Sequence, residues 1–291
     1  MLTDRIMKMM GRIPPPVIPV IRLSGVIGPA GGFRSALNLA SLAGVIERAF
    51  AVPDRAAVVL AVNSPGGSPV QSALIAGRIR QLADEKKVPV LAFTEDVAAS
   101  GGYWLACAAD EIFADESSIV GSIGVVSAGF GFHGLIDRWG VERRVHTSGE
   151  RKARLDPFRP EDPEDVAKLR QIQAEIHDAF KAMVRTRRGD RLKAPEDELF
   201  SGDFWTGRRA LDMGLVDGIG DLRSVLRSRF GEKVRLRLLH GEKRWPWRRP
   251  FRMESALDGA VPAAPQAWAA EAAQGLLAGI EERALWSRFG L

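Results

Sequence analysis

Short and almost wholly apolar runs recur along the first hundred residues, and they constrain the fold more than any other feature. Three of them are VIPVIRL at Val17–Leu23, AAVVLAV at Ala56–Val62 and VPVLAF at Val88–Phe93. A strand without a polar face must be covered on both sides, as in a parallel sheet that lies between layers of helices. The runs therefore predict strands at the centre of an α/β fold.

Helical patterns separate these strands. Apolar residues at helical spacing, or helix-like composition, predict helices at Leu39–Phe50, Pro69–Ala83, Ser100–Ala109, Phe132–Trp139 and Asp162–Arg187. Further strands are predicted at Glu111–Ala114, Val141–Thr147 and Val234–Leu239. The alternation of strand and helix favours an α/β fold with a mostly parallel sheet.

Composition divides the chain into three parts. Residues 1–16 form a short amphipathic segment that ends in three prolines, and residues 17–239 carry the alternation and are predicted to form one core domain. Residues 240–291 change to a basic and aromatic sequence and then to an Ala/Pro-rich one, so we expect a linker and a helical tail there. The 291 residues are 46% hydrophobic and 26% charged, which excludes a disordered or collagen-like chain.

The net charge of +5 suggests an acidic partner, but most of it lies outside the core. Residues 241–253 carry five basic residues and one acidic residue, a net charge of +4. We therefore expect no nucleic-acid partner. Tryptophan beside arginine in 241–253 predicts a peripheral contact with an anionic membrane, with a solvated linker as the alternative. The amphipathic residues 1–12 predict a short helix that lies on a membrane, with a frayed helix that packs on a partner as the alternative.

The sequence offers little for membrane insertion, metal binding or phosphate binding. No apolar run is long enough for a signal peptide or a membrane span, so a cytoplasmic location is expected. The single cysteine, Cys107, excludes an internal disulfide and a zinc site built on cysteines. Neither a metal-binding motif nor a phosphate-binding glycine motif occurs, so no metal and no cofactor are expected.

Two glycine-rich motifs directly follow predicted buried strands. They are NSPGGS at Asn63–Ser68 and DVAASGGYW at Asp96–Trp104. The carboxyl ends of parallel strands are where α/β sheets place their sites. A glycine pair leaves backbone N–H groups open to a ligand, and a serine at a strand-to-helix turn presents its hydroxyl. The motifs can supply a nucleophile and an oxyanion hole, although tight structural turns explain the same spacing.

Three more segments follow in order: GSIGV at Gly121–Val125, SGERK at Ser148–Lys152 and WTGRRALDMGLVDGIG at Trp205–Gly220. With them, the sequence resembles the signal peptide peptidase A family of serine peptidases over residues 17–239. That family shares a superfamily with the Clp proteolytic subunit and the crotonases. The resemblance implies a Clp/crotonase-like fold of repeated ββα units around a mostly parallel sheet.

The resemblance also implies a serine endopeptidase with a serine–lysine dyad. Ser100 falls on the nucleophile and Lys152 on the general base, and backbone N–H groups of Gly101 and of Gly66 or Gly67 fall on the oxyanion hole. A lysine can accept the serine proton only as a neutral amine, so it must be buried or lie near other cations.

Several residues near these motifs have supporting or alternative roles. Asp96 is expected to brace the nucleophile turn by accepting backbone hydrogen bonds, or only to end the strand. Ser122 is expected to form a hydrogen bond near the lysine. His133 is the second choice of base, after Lys152.

The family implies substrates and an assembly as well. Its members cut hydrophobic peptides, including signal peptides, and form homo-oligomers in which the serine and lysine of one site can come from neighbouring copies. Two other functions stay open from the sequence. One is a crotonase-like acyl-CoA enzyme, and the other is a non-catalytic oligomer that binds peptides or membrane proteins.

Overall fold

The computed structural model describes residues 15–28, 36–239 and 283–290. The two segments predicted to contact a membrane, 1–12 and 241–253, lie outside these ranges, as does most of the C-terminal tail.

One eight-stranded sheet forms the centre of the described residues. Its strands are β1 (Val17–Ser24), β2 (Val58–Ser64), β3 (Val90–Ala99), β4 (Glu111–Ala114), β5 (Ile119–Gly121), β6 (Phe204–Thr206), β7 (Gly218–Ile219) and β8 (Arg235–Leu239). The strand order is β6-β5-β3-β2-β1-β8, with β4 paired to β3 and β7. All pairs are parallel except β5 with β6, so the predicted α/β class with a mostly parallel sheet is confirmed.

Helices connect and cover the strands. They are α1 (Leu39–Phe50), α2 (Pro69–Lys86), α3 (Gly101–Ala106), α4 (His133–Arg138), α5 (Pro163–Arg188), α6 (Glu196–Leu199), α7 (Gly207–Asp212) and α8 (Leu222–Phe230). Within the described ranges, no helix combines the length and apolar character that crossing a membrane requires.

The apolar core lies on both faces of the sheet. Along β2, Val58, Leu60 and Val62 face a large cluster shared with α1, α2 and α3. The residues between them, Val59 and Ala61, face a smaller cluster that α8 covers. This explains why β2 is apolar at nearly every position, because each of its faces packs against helices.

The long strand β3 determines where the site lies. Its first half pairs with β4, and its last residues pair with β5 in the register Ala99 to Gly121. On its other side, Ala98 pairs with Ser64 at the end of β2. The ends of β2, β3 and β5 therefore meet at one edge, where both glycine-rich motifs begin.

Residues 126–162, which we name the arm, lie outside the packed core, and all of them are exposed or half-buried as whole residues. The predicted helix in this segment forms as α4, but the strand predicted at Val141–Thr147 was wrong, because residues 141–147 pair with no strand of the described chain. Large apolar side chains are exposed along the arm: Phe130 is 81% exposed and Trp139 is 75% exposed.

Candidate active site

Ser100 occupies a sharp turn between β3 and α3. Its backbone has φ 52° and ψ −122°, a conformation that favours glycine. Such a residue costs on the order of 1–3 kcal/mol and persists only where its surroundings hold it. Here the Ser100 N–H donates to Gly121 O at 2.8 Å, and the Ser100 carbonyl accepts the Trp104 N–H at 3.0 Å. This strand–turn–helix geometry is that of the turn that presents the nucleophile in α/β-hydrolases.

The glycine loop after β2 packs directly against this turn. A Cβ on Gly66 would lie 2.8 Å from Ser100 Cβ and 2.9 Å from Gly101 N, closer than real Cβ contacts allow. A Cβ on Gly102 would lie 2.3 Å from Ser64 O. Gly66 and Gly102 are thus required by close approach of the two backbones, and the fold places Ser100 and Gly101 directly beside Gly66.

The backbone N–H groups of this loop differ in their partners. Gly101 is the first residue of α3, so its N–H is one of the donors that have no acceptor inside the helix. Ile27 donates to Gly66 O and accepts from Ser68 N–H, each at 2.8 Å, which turns the Gly67 N–H to the opposite side of the loop. The Gly66 N–H donates to Ser64 Oγ at 3.2 Å.

The side chain of Asn63, to which no role was assigned from the sequence, links Asp96 to the end of β2. Asn63 Nδ2 donates to Asp96 Oδ2 at 2.7 Å, and Asn63 Oδ1 accepts the Val97 N–H at 3.2 Å. The donor to Asp96 is thus a side-chain amide rather than the expected backbone N–H, and Asp96 lies within β3 rather than at its end. The only sequence feature that indicated a role for Asn63 was its position directly before the Ser-Pro-Gly-Gly turn.

The segment that accepts the Ser100 N–H is itself held on two sides. Ser122 follows Gly121, is buried and donates its N–H to Asp203 O at 2.6 Å. One residue later, Ile123 O lies 3.0 Å from the His177 Nε2 of α5. Ser122 is therefore a near neighbour of the Ser100 turn through Gly121, and its expected hydrogen bond near the lysine stays a prediction.

Lys152 lies in a turn of the arm. It is exposed, and its backbone N–H donates to Gly149 O at 3.2 Å. Among the described residues, no hydrogen bond joins Lys152 to Ser100 or Ser122. The dyad stays a prediction. His133, the second-choice base, is exposed in the same arm.

The arm has an internal structure, in which the side chain of Asp156 is buried. The rings of Phe132 and Phe158 stack with centroids 5.5 Å apart, and the Arg143 guanidinium lies 4.7 Å from the Phe158 ring. Arg143 also donates to Asp156 at 2.9 Å. That hydrogen bond, with one from the Phe158 N–H, lowers the pKa of Asp156. The segment that carries Lys152 therefore holds a defined shape.

Comparison with known proteins identifies the chain's relatives. A family model described as "Peptidase family S49" matches residues 82–233. Over 277 residues the chain is 51% identical to a protein of Brucella abortus (strain 2308) named "Na(+)/H(+) antiporter NhaA", covering 94% of this chain but 37% of that protein. A second Brucella relative shows the same coverage, so the chain spans little more than a third of the length of these two relatives.

Two further relatives are named as peptidases. The "Putative signal peptide peptidase SppA" of Enterococcus faecium is 35% identical, over 60% of this chain and 51% of that protein. The "Putative protease slr0021" of Synechocystis sp. is also 35% identical, over 69% of this chain and 68% of the relative. The family model covers half of the chain and the Synechocystis match covers two thirds of its own length, so the chain belongs to peptidase family S49.

Proposed function

We propose that this chain is a serine endopeptidase that cuts peptide bonds through an acyl-enzyme on Ser100. The observation that carries the proposal is the conformation of Ser100 at the head of α3, with the Gly66–Gly67 loop packed against it. Membership of a peptidase family supports the same reaction.

The chemistry runs in two steps. Ser100 Oγ attacks the carbonyl carbon of the peptide bond while its proton passes to the neutral amine of Lys152. The C–N bond then breaks, the amine product leaves with that proton, and an ester on Ser100 remains. A water molecule gives a proton to the Lys152 amine and attacks the ester, which releases the acid product and restores the serine hydroxyl.

The oxyanion of each tetrahedral intermediate accepts hydrogen bonds from backbone N–H groups. We assign the Gly101 N–H as one donor and an N–H of the Gly66–Gly67 loop as the other. Gly67 is favoured because Gly66 already donates to Ser64 Oγ at 3.2 Å. One such donor contributes about 10²–10³ in rate in other serine peptidases. The scheme consumes only water and the peptide.

We place Lys152 in the active site of a neighbouring copy, which makes the protein a homo-oligomer with composite sites. The exposed Phe130 and Phe132, whose ring centroids lie 6.3 Å apart, support this placement, because contiguous exposed apolar side chains mark interaction surfaces. Packing the arm against another copy would also remove Lys152 from water, and desolvation favours the neutral amine that the mechanism requires.

The substrate proposed is a hydrophobic peptide, such as a signal peptide or its remnant. Val70 and Leu74 lie one turn apart on α2, directly after the glycine loop, and are 64% and 46% exposed. They form an apolar surface beside the oxyanion loop that is suited to the apolar side chains of a bound peptide.

Mixed oligomers test both the nucleophile and its partner copy. Purified wild type, Ser100→Ala and Lys152→Ala are assayed for cleavage of a labelled hydrophobic peptide and for labelling by a fluorophosphonate probe. Each variant alone should be inactive. When the two are co-expressed, random pairing should restore about a quarter of the sites, because one copy supplies the serine and its neighbour the lysine.

Lys86→Ala is the matched control, since Lys86 is an exposed lysine at the end of α2 outside the arm. It should keep wild-type activity. Cleavage that survives in Ser100→Ala would refute Ser100 as the nucleophile, and the absence of both cleavage and labelling in wild type would favour a binding role. Activity in Lys152→Ala alone would show that Lys152 is not the general base. If activity does not recover in the mixed oligomer, the serine and lysine of one site belong to the same chain.

A further inference from the structure

Tyr103 connects the nucleophile helix to a distant part of the chain. It is fully buried on α3, three residues after Ser100, and its hydroxyl donates to Leu215 O at 2.8 Å. Burial raises the pKa of Tyr103 well above its ordinary value, so the hydroxyl stays a donor. The only tyrosine of the chain thus joins two segments that lie 112 residues apart.

The acceptor segment is fixed by a buried arginine at the end of α5. Arg188 is 2% exposed. Its Nε and Nη2 donate to Gly214 O at 3.0 and 2.8 Å, and its Nη1 donates to Asp217 Oδ2 at 2.7 Å. Asp217 Oδ2 also accepts the Ile112 N–H of β4 at 2.7 Å. The segment 214–217 is therefore held on both sides of Leu215.

Stability alone is a weak explanation for this arrangement. Buried ion pairs can often be replaced by apolar residues without loss of stability, and their clearest effect is to fix one geometry. The element that needs a fixed geometry is α3, which has only six residues and cannot be stable without tertiary contacts. Gly121 holds Ser100 from the strand side, so an anchor on the helix side completes the constraint.

We propose that Tyr103 is a positioning residue: through Leu215 and the Arg188–Asp217 pair it fixes α3 and thereby holds Ser100 in its strained conformation. The inference rests on the proposed function, in which Ser100 is the nucleophile. It gives a role to the motif at Trp205–Gly220, which contains Leu215 and Asp217 but contributes no group to the proposed reaction.

The first test is Tyr103→Phe, which removes one hydroxyl and keeps the ring. Without its anchor, α3 should relax, so labelling of Ser100 by a fluorophosphonate should slow about tenfold, and kcat should fall while KM for a peptide stays unchanged. Arg188→Lys should act in the same direction, because lysine keeps the charge but lacks the planar fork that reaches Gly214 and Asp217 together.

Leu226→Val is the control for a general loss of stability. Leu226 is buried in α8 on the opposite face of the sheet. It should lower Tm without changing the labelling rate at temperatures where the protein is folded. A labelling rate in Tyr103→Phe equal to that of wild type would overturn the proposal.

Hydrogen exchange supplies a measurement that does not depend on activity. The amides of residues 101–107 should exchange faster in Tyr103→Phe than in wild type, while those of α8 should not change. Unchanged exchange in 101–107 would overturn the anchoring role. If wild-type Ser100 takes up no probe, the proposed function fails, and the exchange data still decide whether Tyr103 anchors α3.

Discussion

The substitution Gly102→Ala distinguishes the effect of displacing Ser100 from the effect of destabilising the chain. Gly102 is the second residue of α3, and a Cβ there would lie 2.3 Å from Ser64 O and 3.1 Å from Ser64 Cβ. Ordinary contacts begin at 3.4 Å, so α3 and the end of β2 must separate by about 1 Å. Because the contact is with backbone, no side-chain rotation can relieve it.

The expected loss of activity is much larger than the loss of stability. A displacement of about 1 Å between catalytic groups costs about 100-fold in rate. Alanine is favoured over glycine in a helix by up to about 1 kcal/mol, and an overpacked core loses about 1–3 kcal/mol. The variant should therefore lose on the order of 1–2 kcal/mol of unfolding free energy and about 100-fold in kcat/KM.

Peptide cleavage and urea unfolding measured on the same samples test this expectation. Gly77→Ala is the matched control, because Gly77 lies in α2 and a Cβ there would meet no atom within 4 Å. That variant should be as active as wild type and slightly more stable. Wild-type cleavage by Gly102→Ala, or a loss of cleavage no larger than its unfolded fraction, would refute the reasoning.

Two further predictions concern titrating groups of the buried network around α3. Burial opposes the Asp217 carboxylate, but hydrogen bonds from Arg188 and Ile112 outweigh it and hold its pKa below the ordinary value. The stabilising effect of the Asp217 carboxylate is therefore complete above about pH 4 and is lost as the pH falls through the lowered pKa. The free energy of unfolding of Asp217→Asn, measured with urea, should depend less on pH in this range than that of wild type. An equal pH dependence in the two proteins would contradict the assignment. Burial also raises the pKa of Cys107 to about 11. Iodoacetamide at about pH 8 should therefore modify Cys107 only after the protein unfolds. Rapid modification of the folded protein would contradict this prediction.

The parts of the fold that were predictable from sequence are those that local pattern determines. The runs at Ala56–Val62 and Val88–Phe93 became β2 and β3, because a strand covered on both faces is apolar at nearly every position. The strand predicted at Glu111–Ala114 has those same bounds in the structure. Ser100 was placed correctly at a strand-to-helix turn because its motif lies between an apolar run and a helical one.

Contacts between distant residues left no comparable signal. The bond from Tyr103 to Leu215 and the pairing of Arg188 with Asp217 depend on how elements pack, and neither motif shows that the other lies nearby. The wrong strand at Val141–Thr147 has a related cause. Alternating polar and apolar residues describe a strand only if another strand is available to pair with it, and in the described residues none lies beside this segment.

The arm shows why a motif can identify a residue without locating its site. The order of motifs along the chain selects Lys152 whether the lysine acts in its own chain or in a neighbour. We propose the second case, which the exposure of Phe130 and Trp139 on the arm supports. Burying a large apolar side chain contributes about 1.5–3 kcal/mol, so packing the arm against another surface would be favourable. If that surface is another copy, the contact that completes the assembly is also the one that brings the base to Ser100, and a free chain would hold a nucleophile without the group that activates it.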